Sequence, residues 1–355
     1  MTNPEQADPG PEIERLRAIV AEFRHRLETT PDALFPAHAE SLLRLGSLLA
    51  GRGETEAARD TVAEAVMLLR AMAQIDPAAF GASLAAALNT LSIHLSDTKD
   101  DEGARIAGDQ AVAEGRAAMA AHPEQARFVL VSALIGRAGR HLQDADIDAT
   151  LNDLTEAVEV YHGGGTEAVS FLGPMIEALH RAALAFSEIG RWAEAIDARR
   201  LMVSLFDDPP PPAMVHLLAL TLQQTAQAMG RDHRLDVAEN CAEEAVSLAR
   251  MLDAADSPTY RLFLAQALGS LAGRRHNSGN DAAALEVALE AVNTFHEVIE
   301  KDPLATVPSL VLTLQSLTAI LTALDMPDQA ASIDMQRVHM QATLELMLRG
   351  DIPAN

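Results

Sequence analysis

The sequence predicts an all-α protein, an array of about seven antiparallel helix pairs. The first of three observations behind this is a sparse pattern written twice, "LLRLGSLL" at 42–49 and "LNTLSIHL" at 88–95. Its leading Leu recurs at Leu42, Leu88, Leu134, Leu179, Leu222, Leu268 and Leu314, in steps of 46, 46, 45, 43, 46 and 46. Self-similarity at such a period marks a stacked array. The second is helical periodicity: apolar residues at i, i+3 and i+7 form one stripe on the first helix of each unit. The third is composition. Aliphatic residues abound while aromatics make up 3%, which suits packing through Ala and Leu better than a β-sandwich, where aromatic and β-branched residues are favoured.

Taken in order, residues 1–11 are polar and acidic and are expected to form a disordered tail. The stretch "EIERLRAIVAEFRHRLETTP", 12–31, puts Val20 46 residues before Val66 and Pro31 46 before Pro77, so it reads as an orphan second helix capping the stack. The array then runs from 32 to 349. Four residues after each leading Leu stands a small or short residue: Gly46, Ser92, Ala138, Ala183, Ala226, Ala272 and Thr318. Twelve further on come Ala58, Ala104, Ala195, Ala238, Ala284 and Ala330, with Thr150 as the exception. These are the positions where two helix backbones approach, and a larger side chain would force the pair apart. Turns are marked by "GRGE" (51–54), "DTKDD" (97–101), "GR" (190–191) and "SGND" (278–281). Second helices carry "EAV" at Glu64–Val66, Glu156–Val158, Glu244–Val246 and Glu290–Val292, and end near Pro77, Pro123, Pro258 and Pro303. "YHGGGTE" (161–167) and "DDPPPP" (207–212) interrupt the regularity, giving candidate changes of curvature near 162–166 and 207–212. The register resumes after both. The last helix, 327–349, precedes a short polar tail, 350–355.

Charge and chemistry exclude several functions. With 27 basic and 51 acidic residues the net charge is −24, which repels phosphate backbones and argues against nucleic-acid binding. The lone Cys241 excludes an internal disulfide and any multi-thiolate metal site. No apolar leader core is present at the amino terminus, and the uncharged runs Pro209–Gly230 and Pro303–Leu324 fall in repeat register. They read as helices buried on two sides, not as membrane spans, so a soluble cytoplasmic protein is expected. "HGGG" at 162–165 has no Gly-x-Ser-x-Gly companion, "HEVIE" at 296–300 lacks the second His of a zinc helix, and no Gly-rich phosphate loop occurs. The expectation is a non-enzyme with no cofactor and no metal.

The spacing small residue, twelve steps, alanine, seven steps, alanine (Gly46, Ala58, Ala65; Ser92, Ala104, Ala111; Ala226, Ala238, Ala245; Ala272, Ala284, Ala291) is similar to the tetratricopeptide repeat. The resemblance covers about residues 34–345. Two departures stand out: the family's aromatic positions are mostly Leu here, and the unit exceeds the usual 34 residues. Long-repeat arrays of the kinesin-light-chain type, and those attached to bacterial signalling ATPases and caspase-like proteases, share that length. The resemblance implies a right-handed α-solenoid whose first helices line a concave groove, at positions three before and one after the small residue. These positions are Leu43 and Ser47, Asn89 and Ile93, Ile135 and Gly139, His180 and Leu184, Gln223 and Gln227, Gly269 and Gly273, Gln315 and Ala319. Arg44, Arg181, Gln224 and Gln266 fall close by. Candidate partner-binding residues are therefore Asn89, His180, Arg181, Gln223, Gln224, Gln227, Gln266 and Gln315, amide-rich in the second half. Amides both donate and accept, so they suit the backbone of an extended peptide. Gly139, Gly269 and Gly273 are expected to leave the groove wide, and Leu43, Ser47, Asn89 and Ile93 do not reproduce the family's Lys and Asn carboxylate clamp. The implied function is a non-catalytic scaffold or adaptor for a protein or peptide partner, basic or helical, in its finer form the regulatory partner of a bacterial signalling effector. The alternative is a self-assembling homo-oligomer built by stacking. Removing acidic residues on second helices, such as Glu64 and Glu290, is expected to affect the salt dependence of partner binding more than its residence time.

Overall fold

The computed structural model describes residues 9–27, 35–163, 169–254 and 257–349. Among them are fifteen helices and no strand. They are α1 (Gly10–Leu27), α2 (Phe35–Gly51), α3 (Thr55–Ile75), α4 (Pro77–Asp97), α5 (Asp101–Ala121), α6 (Pro123–Gln143), α7 (Ile147–His162) and α8 (Val169–Glu188). Then follow α9 (Trp192–Ser204), α10 (Pro212–Arg231), α11 (Leu235–Asp253), α12 (Pro258–Asn277), α13 (Asp281–Val298), α14 (Pro303–Ala323) and α15 (Pro327–Arg349). Even-numbered helices are the first members of each pair and odd-numbered ones the second, α1 standing alone ahead of them. Residues 1–8, Pro31, 164–168 and 350–355, on which the expected tails, part of the capping helix and the glycine run fall, lie outside the described residues.

The chain forms two compact units, residues 1–185 and 186–355. In the first, α1 to α7 pack in sequential order; in the second, α9 to α15 do the same. Each is an all-α stack of helix pairs.

The pairing follows from the small residues. An added Cβ on Gly46 would stand 2.5 Å from Val62 Cγ2 and 3.4 Å from the Ala58 carbonyl oxygen, so α2 and α3 touch almost backbone to backbone. Ser92 donates to the Ala104 carbonyl at 2.7 Å, doing the same for α4 and α5. Ala58, Ala104, Ala195, Ala238, Ala284 and Ala330 are all buried, and so is Thr150, which donates its hydroxyl to the Asp146 carbonyl within its own helix. Leading residues Leu42, Leu88, Leu134, Leu179, Leu222, Leu268 and Leu314 are buried as well.

The turns inside the pairs are one structure used seven times. A residue of positive φ stands at Gly53, Lys99, Ala145, Gly190, His233, Gly279 and Asp325, in the same register as the repeat. Each turn closes with two amide-to-carbonyl bonds onto the end of the preceding helix, for example Gly53 to Ala50 (2.9 Å) and Glu54 to Leu49 (3.0 Å). Left-handed backbone is easy for glycine and costly for residues with a Cβ. Glycine marks only three of the seven, which is why sequence punctuation alone finds the turns unevenly. Asp76 and Asp302, between pairs, cap α4 and α14, and Asp100 and Asp146, inside pairs, cap α5 and α7, each by accepting the amide three residues on. Pro77, Pro123, Pro212, Pro258 and Pro303 open α4, α6, α10, α12 and α14, where the missing N–H would have no partner in any case.

Two helices, α4 and α14, are long and apolar enough to cross a membrane. Both lie between flanking helices of the stack, which removes the need for a charged face. At the other extreme, α15 buries Ala330 alone among its residues. Positions that are apolar in α13 where it packs into its unit, Ala288, Ala291 and Phe295, become Asp334, Arg337 and Gln341 in α15, and Arg337 bonds both of the others. The stack ends on a polar face.

Candidate binding surface

The outer face of the second helices is tied together. Arg24 bonds Glu64, Arg70 bonds Gln110 (2.7 Å) and Arg116 bonds Glu156, each pair 40 residues apart and joining successive second helices of the first unit. In the second unit, Arg200–Glu244 (2.8 Å) and Arg250–Glu290 (2.8 Å) repeat the arrangement. Stacking thus sets Glu64 and Glu290 each beside an arginine of the preceding second helix. The hydrogen bond from Arg24 holds the Glu64 carboxyl below its usual range, and Arg116 does the same for Glu156. Such exposed pairs contribute at most about 1 kcal/mol each. Glu64 also approaches His38 at 3.4 Å, a buried ring whose protonation burial disfavours.

The first helices are different. In the first unit a cleft of about 170 Å³ lies between α6 and α8, lined by Ile135 and Gly139 on one side and by Glu177, Ala178 and Arg181 on the other. Arg181 is exposed, with its guanidinium 3.6 Å from where a Cβ on Gly139 would stand. In the second unit a cleft of about 250 Å³ lies between α12 and α14, lined by Gln266, Gly269, Gly273, Arg274 and Ser316 among others. Each cleft includes one pair of the positions that the repeat spacing places three before and one after the small residue, Ile135 and Gly139 in the first and Gly269 and Gly273 in the second.

The candidate residues divide by exposure. Arg181, Gln224, Gln227 and Gln315 are open to solvent, whereas Asn89, His180, Gln223 and Gln266 are half-buried. Asn89 packs over Gly136 of α6, where an added Cβ would meet its Oδ1 at 2.6 Å, and that oxygen is buried without a hydrogen bond. Gln266 donates to Ser309 Oγ at 3.3 Å, bridging α12 and α14. Both amides serve contacts between first helices. Gly269 is not the open space expected of it, since Thr313 Oγ1 lies 2.4 Å from where its Cβ would be, so this glycine lets α14 approach. Gly139 and Gly273 do border the clefts.

Sequence reasoning missed Arg274, Ser270 and Ser316. The available signal was the repeat itself: Arg274 occupies the position of His94 and Arg140 in earlier units, two beyond the small residue. It also missed an ion pair inside the first unit. Arg137 of α6 binds Asp153 of α7 with two bonds, at 2.6 and 2.9 Å, and the Asp153 side chain is only 6% exposed. Among the described residues no cluster of three or more His, Cys, Asp or Glu has metal-binding geometry.

No protein-family model and no curated protein sequence matches the chain. Solved structures to which it is similar include BtubC from P. vanneervenii, at 15% identity over 68% of this chain and 90% of that one, with a TM-score of 0.38. A putative kinesin light chain of Podosopora anserina with nearly identical TPR-like repeats gives 16% identity over 60% and 95%, TM-score 0.35. The S. pombe nuclear import adaptor Nro1 gives 13% identity over 75% and 93%, TM-score 0.40.

Proposed function

We propose that this chain is a protein-binding scaffold that receives an extended segment or helix of a partner along its first helices. One observation carries the reading: each unit has a cleft between successive first helices that includes positions the repeat spacing selects, Ile135 and Gly139 or Gly269 and Gly273, while ion pairs tie successive second helices to one another. Exposed Gln224, Gln227 and Gln315 supply donors and acceptors without demanding one partner sequence. The finer form, an adaptor for a separately encoded signalling effector, draws its support from the family resemblance alone.

The test pairs two variants. A partner is captured with the wild-type chain, then its affinity is measured for Gln224→Ala/Gln227→Ala/Gln315→Ala and for a second-helix control, Gln74→Ala/Glu286→Ala. Three lost hydrogen bonds at about 0.5–1.5 kcal/mol each should weaken binding by roughly 10-fold to 1,000-fold, with the control unchanged. Unchanged affinity in the triple variant moves the contacts off the first helices.

A second reading, self-assembly, draws on α15, where Met335 (69%), Val338 (53%) and Leu348 (72%) are exposed. Light scattering separates the two: a monomer at every accessible concentration removes self-assembly.

A further inference from the structure

In a chain with 51 acidic and 27 basic residues, the cleft between α12 and α14 is lined by no carboxylate. It holds one cation, Arg274, and the hydroxyls of Ser270, Ser309, Thr313 and Ser316. The guanidinium of Arg274 lies across Gly230 of α10, where a Cβ would meet Nη1 at 2.0 Å, and its Nε is buried without a hydrogen bond.

The repeat shows what is missing. At the same position three units earlier, Arg140 lies across Gly108 of α5; burial and Arg137 disfavour its charge, while Asp109, Asp153 and Asp144 favour it. The residues at the repeat positions of those three carboxylates are Glu243, Val287 and Ser278. Glu243 accepts instead from Arg275 at 2.6 Å, and the other two carry no charge. The charged neighbour that Arg274 does feel is a second cation, Arg231, beside Gly230. Among the described residues neither arginine has an ion pair or hydrogen bond, and the hydroxyls of Ser270 and Ser316 have none either. Packing does not require an arginine there, because other units place Leu48, Ala185, Ala228 and Ile320 at the position. A cation without an ion pair and free hydroxyl donors, lining one cleft that has no carboxylate, are complementary to an oxyanion.

We propose that this cleft binds an oxyanion, the carboxylate or phosphoryl group of an acidic partner segment, held by Arg274, with Ser270 and Ser316 as donors. The assignment rests on the first-helix reading above and revises the basic partner expected from net charge: the one charged residue lining this cleft is a cation, although the whole chain is negative. The group anchors one end of a partner segment, and the exposed amides Gln224, Gln227 and Gln315 meet the rest.

The experiment titrates the full chain, with 15N-labelled arginine, against inorganic phosphate and separately against acetate, sodium chloride holding ionic strength constant. The side-chain Nε–H signal of Arg274 is assigned from Arg274→Lys. It should shift saturably while that of Arg140 stays fixed, and Ser316→Ala should weaken the titration by about 2-fold to 10-fold, the equivalent of one hydrogen bond. Arg274→Ile should keep or raise the melting temperature, as expected if the arginine serves binding and not the fold. Saturation by phosphate alone assigns a phosphoryl group; saturation by acetate as well assigns a carboxylate; both support the site. A response that tracks ionic strength only, or that Arg140 shares equally, overturns it. No partner is needed for the titration, so its failure leaves the amide-variant test of the first helices standing on its own.

Discussion

Replacing both members of the Arg137–Asp153 pair should leave the protein as stable as before or more so, whereas removing Asp153 alone should damage it. At the equivalent repeat positions the other units have Leu45 and Thr61, Leu91 and Ala107, Ala182 and Ala198, Thr225 and Cys241, Leu271 and Val287, and Leu317 and Ile333. The third unit thus buries an ion pair where its neighbours bury mostly apolar groups. The Asp153 side chain is 6% exposed and that of Arg137 is 17% exposed, so both ions have lost most of their water. Two short bonds join them, and Asp109 at 3.5 Å and His141 at 3.7 Å lie on the flanks. Removing one partner of a buried pair costs about 3–5 kcal/mol because the other charge is stranded. Asp153→Ala should fall near the lower end, about 3 kcal/mol, because Arg137 keeps Asp109 and retains some access to water. The double change Arg137→Leu/Asp153→Val installs the Leu271 and Val287 arrangement and should lie between neutral and about 4 kcal/mol more stable than wild type. Denaturant melts of the four corners of the cycle give the coupling, read together with hydrogen exchange of α6 and α7, because a repeat stack need not unfold in one step. Two results refute the reasoning: a double variant as damaged as Asp153→Ala, or an Asp153→Ala that costs under about 1 kcal/mol.

Four further outcomes are expected. Ala104→Trp, placed where Ser92 Oγ already lies 2.7 Å from the Ala104 carbonyl, should destabilise by about 3 kcal/mol or more, with hydrogen-exchange protection lost around α4 and α5 and kept in α12 to α14. Ala145→Gly, at φ 57°, should raise stability by up to about 1 kcal/mol in a denaturant melt, because relief of left-handed strain outweighs the entropy of glycine. Glu64, lowered chiefly by the hydrogen bond from Arg24, should contribute stability that is full above the ordinary 4.5 and is lost as pH falls through its lower folded value; melts between pH 3 and 7 should show this and Glu64→Gln should flatten it. His38 has the same sign for a different cause: burial lowers it from 6.5, so acidification below that value costs stability, and His38→Gln should remove that upper part of the profile.

The sequence by itself determined the repeat. A Leu, a small residue and an alanine at fixed separations specify two helices crossing at close range, and the structure puts Gly46 over Ala58 and Ser92 over Ala104 as that spacing requires. These are local relations within one pair, and a one-dimensional pattern records them. The prolines that open α4, α6, α12 and α14 were legible for the same reason. What joins different pairs was not. Arg24 and Glu64, or Arg250 and Glu290, stand 40 residues apart and meet only once successive second helices are stacked at a particular separation and rotation. Asn89 and Gln266 looked like open groove amides by position, yet Gly136 and Ser309 of the next first helix decide that they face a neighbour. Arg274 occupies the repeat position of Arg140, yet packing lays one across Gly230 of a first helix, α10, and the other across Gly108 of a second helix, α5. Periodicity fixes which side of a helix is buried, but the partner of a polar side chain is a three-body property of neighbouring helices, and tertiary packing alone sets it.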